Sequence, residues 1–178
     1  PAAGLAAVRV SAGVLPQAVR GAVDQLIEQA GEQSSAAERA TLAMDLKPLQ
    51  DVCFNTLSNR YPFQAGARAD VLIDEISIGA KASTVTINSL TGTEQNYGTD
   101  INRIDLSKAP AASVNLTVGA GQALYVDSVV STKSLGNVSM TVGAGGSGYI
   151  SYVSGGSGGL RANVGDLSVT VGAGGSGE

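Results

Sequence analysis

Residues 114–130 read VNLTVGAGQALYVDSVV, and this stretch decides how the second half of the chain folds. Apolar and polar residues alternate from Val114 to Val118, as in a half-buried strand, and a Gly-Ala-Gly turn then leads into another apolar run. The pentapeptide TVGAG starts at Thr117, Thr141 and Thr170. The repeat predicts a unit of strand, turn and strand that stacks as a sandwich or a short β-solenoid.

Further runs in this half have the same character. Strands are also predicted at Ser83 to Ile87, Leu124 to Val130, Val138 to Val142, Tyr149 to Val153 and Leu167 to Val171. Because such a unit cannot bury its apolar face alone, self-association through the edges of the β repeats is expected. The glycine-rich copies resemble in composition the strand repeats of phage tail fibres and bacterial surface proteins.

Composition excludes several functions. The net charge of −4 argues against a nucleic-acid surface, which needs a basic stripe. With no histidine and only Cys53, neither a Ser-His-Asp system nor a zinc site of histidines and cysteines is possible. The GxGxxG match at residues 143–148 is followed by a strand pattern instead of the helix that a dinucleotide site requires. No enzyme, cofactor or metal is therefore predicted.

The carboxylates support the same interpretation. Asp74 and Glu75 are adjacent, so in a strand they are expected on opposite faces. The aspartates at positions 100, 105, 127 and 166 lie in separate segments and are interpreted as solvated surface residues.

The first 75 residues contain only five of the 24 glycines and follow a helical pattern. A brief strand is possible from Ala6 to Val10, and a helix opens at Pro16 and ends near Gly31. A capping box at Ser35 predicts a second helix towards Lys47, and Pro48 either kinks this helix or starts a third. The predicted fold class is α+β, with a small helical bundle in residues 1–75 and an all-β repeat region in residues 76–178.

Residues 51–63, DVCFNTLSNRYPF, carry a more specific pattern, continued by ADVLID at residues 69–74. Together with LPQAVRGAVDQLIEQA at residues 15–30, they resemble the C-terminal periplasmic region of TssM, the IcmF-family inner-membrane component of type VI secretion systems. The resemblance covers about residues 5–75, and the chain lacks the tryptophan that usually precedes the cysteine. The residues that carry it are Cys53, Arg60, Tyr61, Pro62, Phe63, Asp70, Val71 and Asp74.

The resemblance implies a non-enzymatic assembly module of a periplasmic membrane complex. Its partners would be the outer-membrane lipoprotein TssJ and other TssM copies, with the motif serving as a fold signature or partner contact. The alternative from the β repeats is a binding or spacer module at a cell surface or in a virion. The sequence contains no run of about 20 apolar residues that could insert directly into a membrane. Because the chain begins with Pro1, a fragment or a processed form is expected.

Overall fold

The computed structural model describes residues 5–10, 16–31, 41–46, 49, 69–78, 84–89, 97–109, 111–155 and 167–178, and strands make up 63% of these residues. They form one helix and eleven strands. In chain order the elements are β1 (Leu5–Val10), α1 (Pro16–Gly31), β2 (Thr41–Asp45), β3 (Ala69–Ile78), β4 (Thr84–Ser89), β5 (Tyr97–Asp105), β6 (Ser113–Val118), β7 (Ala123–Ser131), β8 (Val138–Val142), β9 (Ser147–Gly155), β10 (Leu167–Val171) and β11 (Ser176–Gly177).

The strands form two sheets that the chain visits alternately. The first sheet has the order β1-β3-β5-β7-β9-β11, and the second has the order β10-β8-β6-β4-β2. All neighbours are parallel except β1 and β3, which run antiparallel. Each coil of the chain therefore adds one strand to each sheet, which is the arrangement of a β-solenoid.

The core lies between the two sheets and is aliphatic. In β4 and β6 every second residue is buried, so the alternation seen in the sequence separates the core face from the outer face. Each fully buried Ile or Leu side chain stabilises the fold by about 1.5–3 kcal/mol. The largest buried side chains are Leu46, Leu49, Ile73, Ile76, Ile78, Ile87, Ile101, Ile104 and Leu106.

The TVGAG copies form a stack of identical turns. In the first turn the Gln122 N–H donates to the Gly119 carbonyl at 3.1 Å, and Gly121 has a φ of +70°. A positive φ at the third residue of such a turn favours glycine. Gly145 (φ +70°) and Gly174 (φ +73°) occupy the same position in the next two turns.

Hydrogen bonds join each turn to the next one. The Gly121 N–H donates to the carbonyl of Ala144, and the Gly145 N–H donates to that of Ala173, both at 3.0 Å. The first glycine of the second and third motifs permits this close approach. A Cβ on Gly143 would lie 2.7 Å from the backbone nitrogen of Ala120, and one on Gly172 would lie 3.0 Å from that of Ala144. The two glycines of GAG thus serve different purposes.

Helix α1 contacts β1 and β2, which are edge strands of the two sheets. Its residue Ala22 is buried, and Val19 and Val23 pack against the core. The helix therefore covers the core at this end of the solenoid. On β10 at the other end, by contrast, Leu167, Val169 and Val171 are exposed by 63%, 43% and 39%.

The predicted α+β fold with an N-terminal helical bundle is wrong. Among the described residues α1 is the one complete helix, with Leu49 as a further helical residue, and β2 stands between Thr41 and Asp45 where the second helix was expected. There the backbones of Leu42 and Met44 pair in parallel with Val85 and Ile87 of β4, so pairing with a neighbouring strand overrides local helix propensity.

The remaining expectations for the first half concern residues that the structure describes only in part. The capping box at Ser35 and the third helical segment lie outside the described residues, apart from Leu49, which is buried. Strand β3 runs across residue 75, the expected boundary, and the division into two domains stays a prediction. No described helix is long and apolar enough to cross a membrane.

Candidate functional site

Four strands of the first sheet break the alternation of buried and exposed residues at the same place. In β5, Asn102 and Arg103 are both exposed, whereas Ile101 and Ile104 on either side are fully buried. The strand bends between the two isoleucines, because their three-residue spacing cannot place both in the core of a straight strand. Each such bend turns two consecutive side chains away from the core.

Because the strands are in register, these bends stack along the solenoid. We call the stacked pairs the corner column. They are Asp74 and Glu75 in β3, Asn102 and Arg103 in β5, Asp127 and Ser128 in β7, and Ser151 and Tyr152 in β9.

The first three pairs of the corner column, together with Arg9 of β1, line a polar groove of about 480 Å³, which we call the corner groove. Arg9 lies opposite Glu75 in the antiparallel pair, and its Nη2 is 2.8 Å from Glu75 Oε1. On the neighbouring strands, Ser128 Oγ donates to the Asn102 carbonyl at 3.0 Å. Three carboxylates and two guanidinium groups therefore share the groove.

The second sheet presents a different outer surface, made of small uncharged polar side chains. Asn115 and Ser139 are paired on adjacent strands, and Ser139 Oγ donates to Asn115 Oδ1 at 2.6 Å. Beside them, Thr117, Thr141 and Thr170 stand in register. These ladders hold neighbouring coils together, since cross-strand pairs are what stabilises a sheet face.

A third feature is a groove of about 360 Å³ between β9 and β10, which is more apolar than the corner groove. Ile150 and Val153 line one side and Leu167 and Val169 the other, and Tyr152 also contributes. This groove continues the core, because Val138 and Met140, the register partners of Leu167 and Val169, are buried.

The described residues supply several hydrogen-bonding groups to the corner groove. Among them, no group of three or more His, Cys, Asp or Glu side chains could hold a metal ion. The corner groove presents hydrogen-bond acceptors and donors side by side on one sheet, and a polar ligand could bond to both kinds of group.

Most residues of the predicted motif lie outside the described part of the chain. This applies to Cys53 and to Arg60, Tyr61, Pro62 and Phe63.

The two aspartates of the motif lie in β3. The backbone of Asp70 pairs with Gly98, whereas Asp74 is exposed in the corner groove. The expectation that Asp74 and Glu75 point to opposite faces is wrong, because the bend in β3 turns both away from the core. The signal that could have located the groove is the three-residue spacing of Ile73 from Ile76, repeated at residues 101 and 104.

Comparison with protein-family models, with curated proteins and with solved structures gives no match for this chain. The resemblance of residues 5–75 to TssM, and that of the repeats to tail fibres, therefore stay predictions.

Proposed function

We propose that this chain is a non-enzymatic structural module of a surface or fibre protein, in which the solenoid acts as a rigid spacer. The observation that supports this most strongly is the parallel, in-register stacking of the strands that follow β1 around an aliphatic core. Such a stack lengthens by about 4.8 Å for each added strand pair. Length is then set by the number of coils, as a spacer requires.

Insertion of three extra coils tests this proposal. Val138 is the register partner of Val114, 24 residues earlier, so residues 114–137 form one coil. Three extra copies of residues 114–137, inserted after Asn137, should give a folded protein that is longer by about 14 Å. Small-angle X-ray scattering measures the maximum dimension, and circular dichroism measures the strand content.

A matched control uses three copies of residues 115–137, each one residue shorter. In each copy the alternation is displaced by one residue, which turns polar side chains towards the core. The control should lose stability, whereas the 24-residue version should keep it. An in-register insertion that unfolds, or that folds without a longer particle, would refute the spacer proposal.

Self-association through the repeat edges is part of this proposal. It is supported by the exposed side chains of Leu167, Val169 and Val171 on β10. Sedimentation velocity over a range of concentrations should show an oligomer that the Leu167→Thr, Val169→Thr double variant weakens at least tenfold. A monomer at all concentrations would refute self-association. The spacer role would then still depend on the result of the insertion experiment.

A second proposal is an assembly module of a type VI secretion complex in the periplasm. It is supported by the ordered motif at Cys53, Arg60 to Phe63, Asp70 and Asp74. Co-purification with a TssJ lipoprotein is the test, with an Arg60→Ala, Tyr61→Ala variant as the comparison. Failure of the folded chain to retain TssJ would end this proposal.

A further inference from the structure

We propose that the corner groove binds a neutral, hydroxyl-rich oligosaccharide that lies along the solenoid axis. This goes beyond the spacer role and does not depend on it. The inference comes from a groove of about 480 Å³ in which acceptors and donors alternate between strands.

The geometry favours an extended ligand. The groove crosses the four adjacent strands β1, β3, β5 and β7, which are about 4.8 Å apart, so it is about 14 Å long. Each of the last three strands contributes one pair of outward side chains. A chain molecule that crosses the strands therefore meets a new pair of polar groups at each step.

The hydrogen-bonding groups match hydroxyl groups, which both donate and accept. Carboxylates such as Asp74 and Asp127 only accept, guanidinium groups such as Arg103 only donate, and the Asn102 side chain does both. The Ser128 hydroxyl donates its hydrogen to the backbone carbonyl of Asn102, so the Ser128 oxygen can still accept a hydrogen bond from a ligand. A sugar that presents neighbouring hydroxyls can satisfy an acceptor and a donor at once.

The charges disfavour the other polar ligands. Arg9 and Glu75 compensate each other's charge across 2.8 Å, and the two further carboxylates of the groove outnumber Arg103. The remaining net negative charge disfavours phosphates, sulfates and uronic acids. A cation is also disfavoured, because Arg103 lines the same groove and no described group of three acidic side chains could hold a metal. An uncharged ligand avoids both conflicts.

An exposed aromatic ring extends the corner column. Tyr152 of β9 is the register partner of Ser128, and 58% of its surface is exposed. An exposed tyrosine offers an apolar ring face with a polar edge, which suits the C–H face of a sugar ring. The next coil therefore supplies a stacking surface beside the polar groove.

A glycan array containing neutral and sulfated oligosaccharides tests the proposal, followed by isothermal titration with the best neutral hexasaccharide. Asp127→Ala and Tyr152→Ala should each weaken binding at least tenfold. Lys133→Ala removes an exposed charge from another part of the surface and should change the affinity less than twofold. Circular dichroism establishes that each variant is folded.

The outcomes separate clearly. Binding of a neutral glycan that is lost in Asp127→Ala and Tyr152→Ala but retained in Lys133→Ala supports the site. No neutral glycan bound on the array, tighter binding of sulfated probes, or binding unaffected by both substitutions would overturn it. None of these results depends on the coil-insertion experiment, so the two proposals fail separately.

Discussion

Gly145 and Gly143 lie in the same turn, but they should tolerate substitution differently. Gly145 has a φ of +70°, and a Cβ there would meet nothing within 4 Å. Alanine at this position therefore suffers only backbone strain, about 1–2 kcal/mol. Alanine also reduces the freedom of the unfolded chain, which offsets about 0.4–1 kcal/mol. The net loss in the free energy of unfolding should be about 1 kcal/mol.

Gly143 faces the opposite restriction. Its φ is not positive, but a Cβ would lie 2.7 Å from the backbone nitrogen of Ala120. The two coils would have to separate, and overpacking of this kind costs about 1–3 kcal/mol. Asparagine distinguishes the two mechanisms, because it adopts the left-handed conformation more readily than alanine. Gly145→Asn should recover stability relative to Gly145→Ala, whereas Gly143→Asn should be worse than Gly143→Ala.

Urea denaturation followed by far-UV circular dichroism measures these differences. A change of 1 kcal/mol shifts the midpoint by about 0.5 M. As a control of opposite sign, Gly21→Ala in α1, where a Cβ also meets nothing, should stabilise the protein by about 0.5–1 kcal/mol. If Gly145→Asn and Gly145→Ala are equally destabilising, backbone strain is not the cause. If Gly143→Ala is neutral, the turns are not stacked as described.

Three further substitutions test the core, the outer ladder and the backbone. Ile104→Ala should lower the free energy of unfolding by about 2–5 kcal/mol, because Ile104 is fully buried. Leu72→Ala, at a site that is 47% exposed, should lower it far less. Equal losses would contradict the core assignment. Ser139→Ala removes the 2.6 Å bond to Asn115 and should cost about 0.5–1.5 kcal/mol, measured by urea denaturation, and no loss would mean that this ladder is unimportant. Ala111→Gly should stabilise the protein by about 1 kcal/mol in the same assay, because the alanine has a φ of +63°. A loss of stability would refute strain at this turn.

The strands of the second half could be predicted because their side chains alternate. Val114 to Val118, Val138 to Val142 and Leu167 to Val171 are read correctly as strands, and they are β6, β8 and β10. The alternation does not indicate which strands pair with each other. Parallel pairing between β6 and β8 depends on the path of the whole coil, including the strand between them.

The sequence pattern of the first half is misleading for a physical reason. Leu42 and Met44 lie in a segment whose local pattern also fits a helix, and the pairing with β4 that decides the matter involves residues about 40 positions away. The corner groove is not evident from single residues for a similar reason. Asp127 is ordinary as a single residue and becomes part of a groove only when β5 and β7 are in register.

The stacked turns described above also affect folding kinetics. A strand that slips by one residue turns polar side chains inward and is rejected, but a strand displaced by a whole coil still meets a Thr-Val-Gly-Ala-Gly turn of the same shape. Correct folding of this chain therefore requires that each strand pairs with the strand of the adjacent coil, in addition to having its apolar face towards the core. The copies are spaced 24 and 29 residues apart. Because the two spacings differ, pairing with the wrong coil leaves a connecting segment of the wrong length, and this disfavours the misfolded arrangement. Equalising the two spacings should increase the fraction of molecules trapped one coil out of place and slow the recovery of native protein after dilution from denaturant.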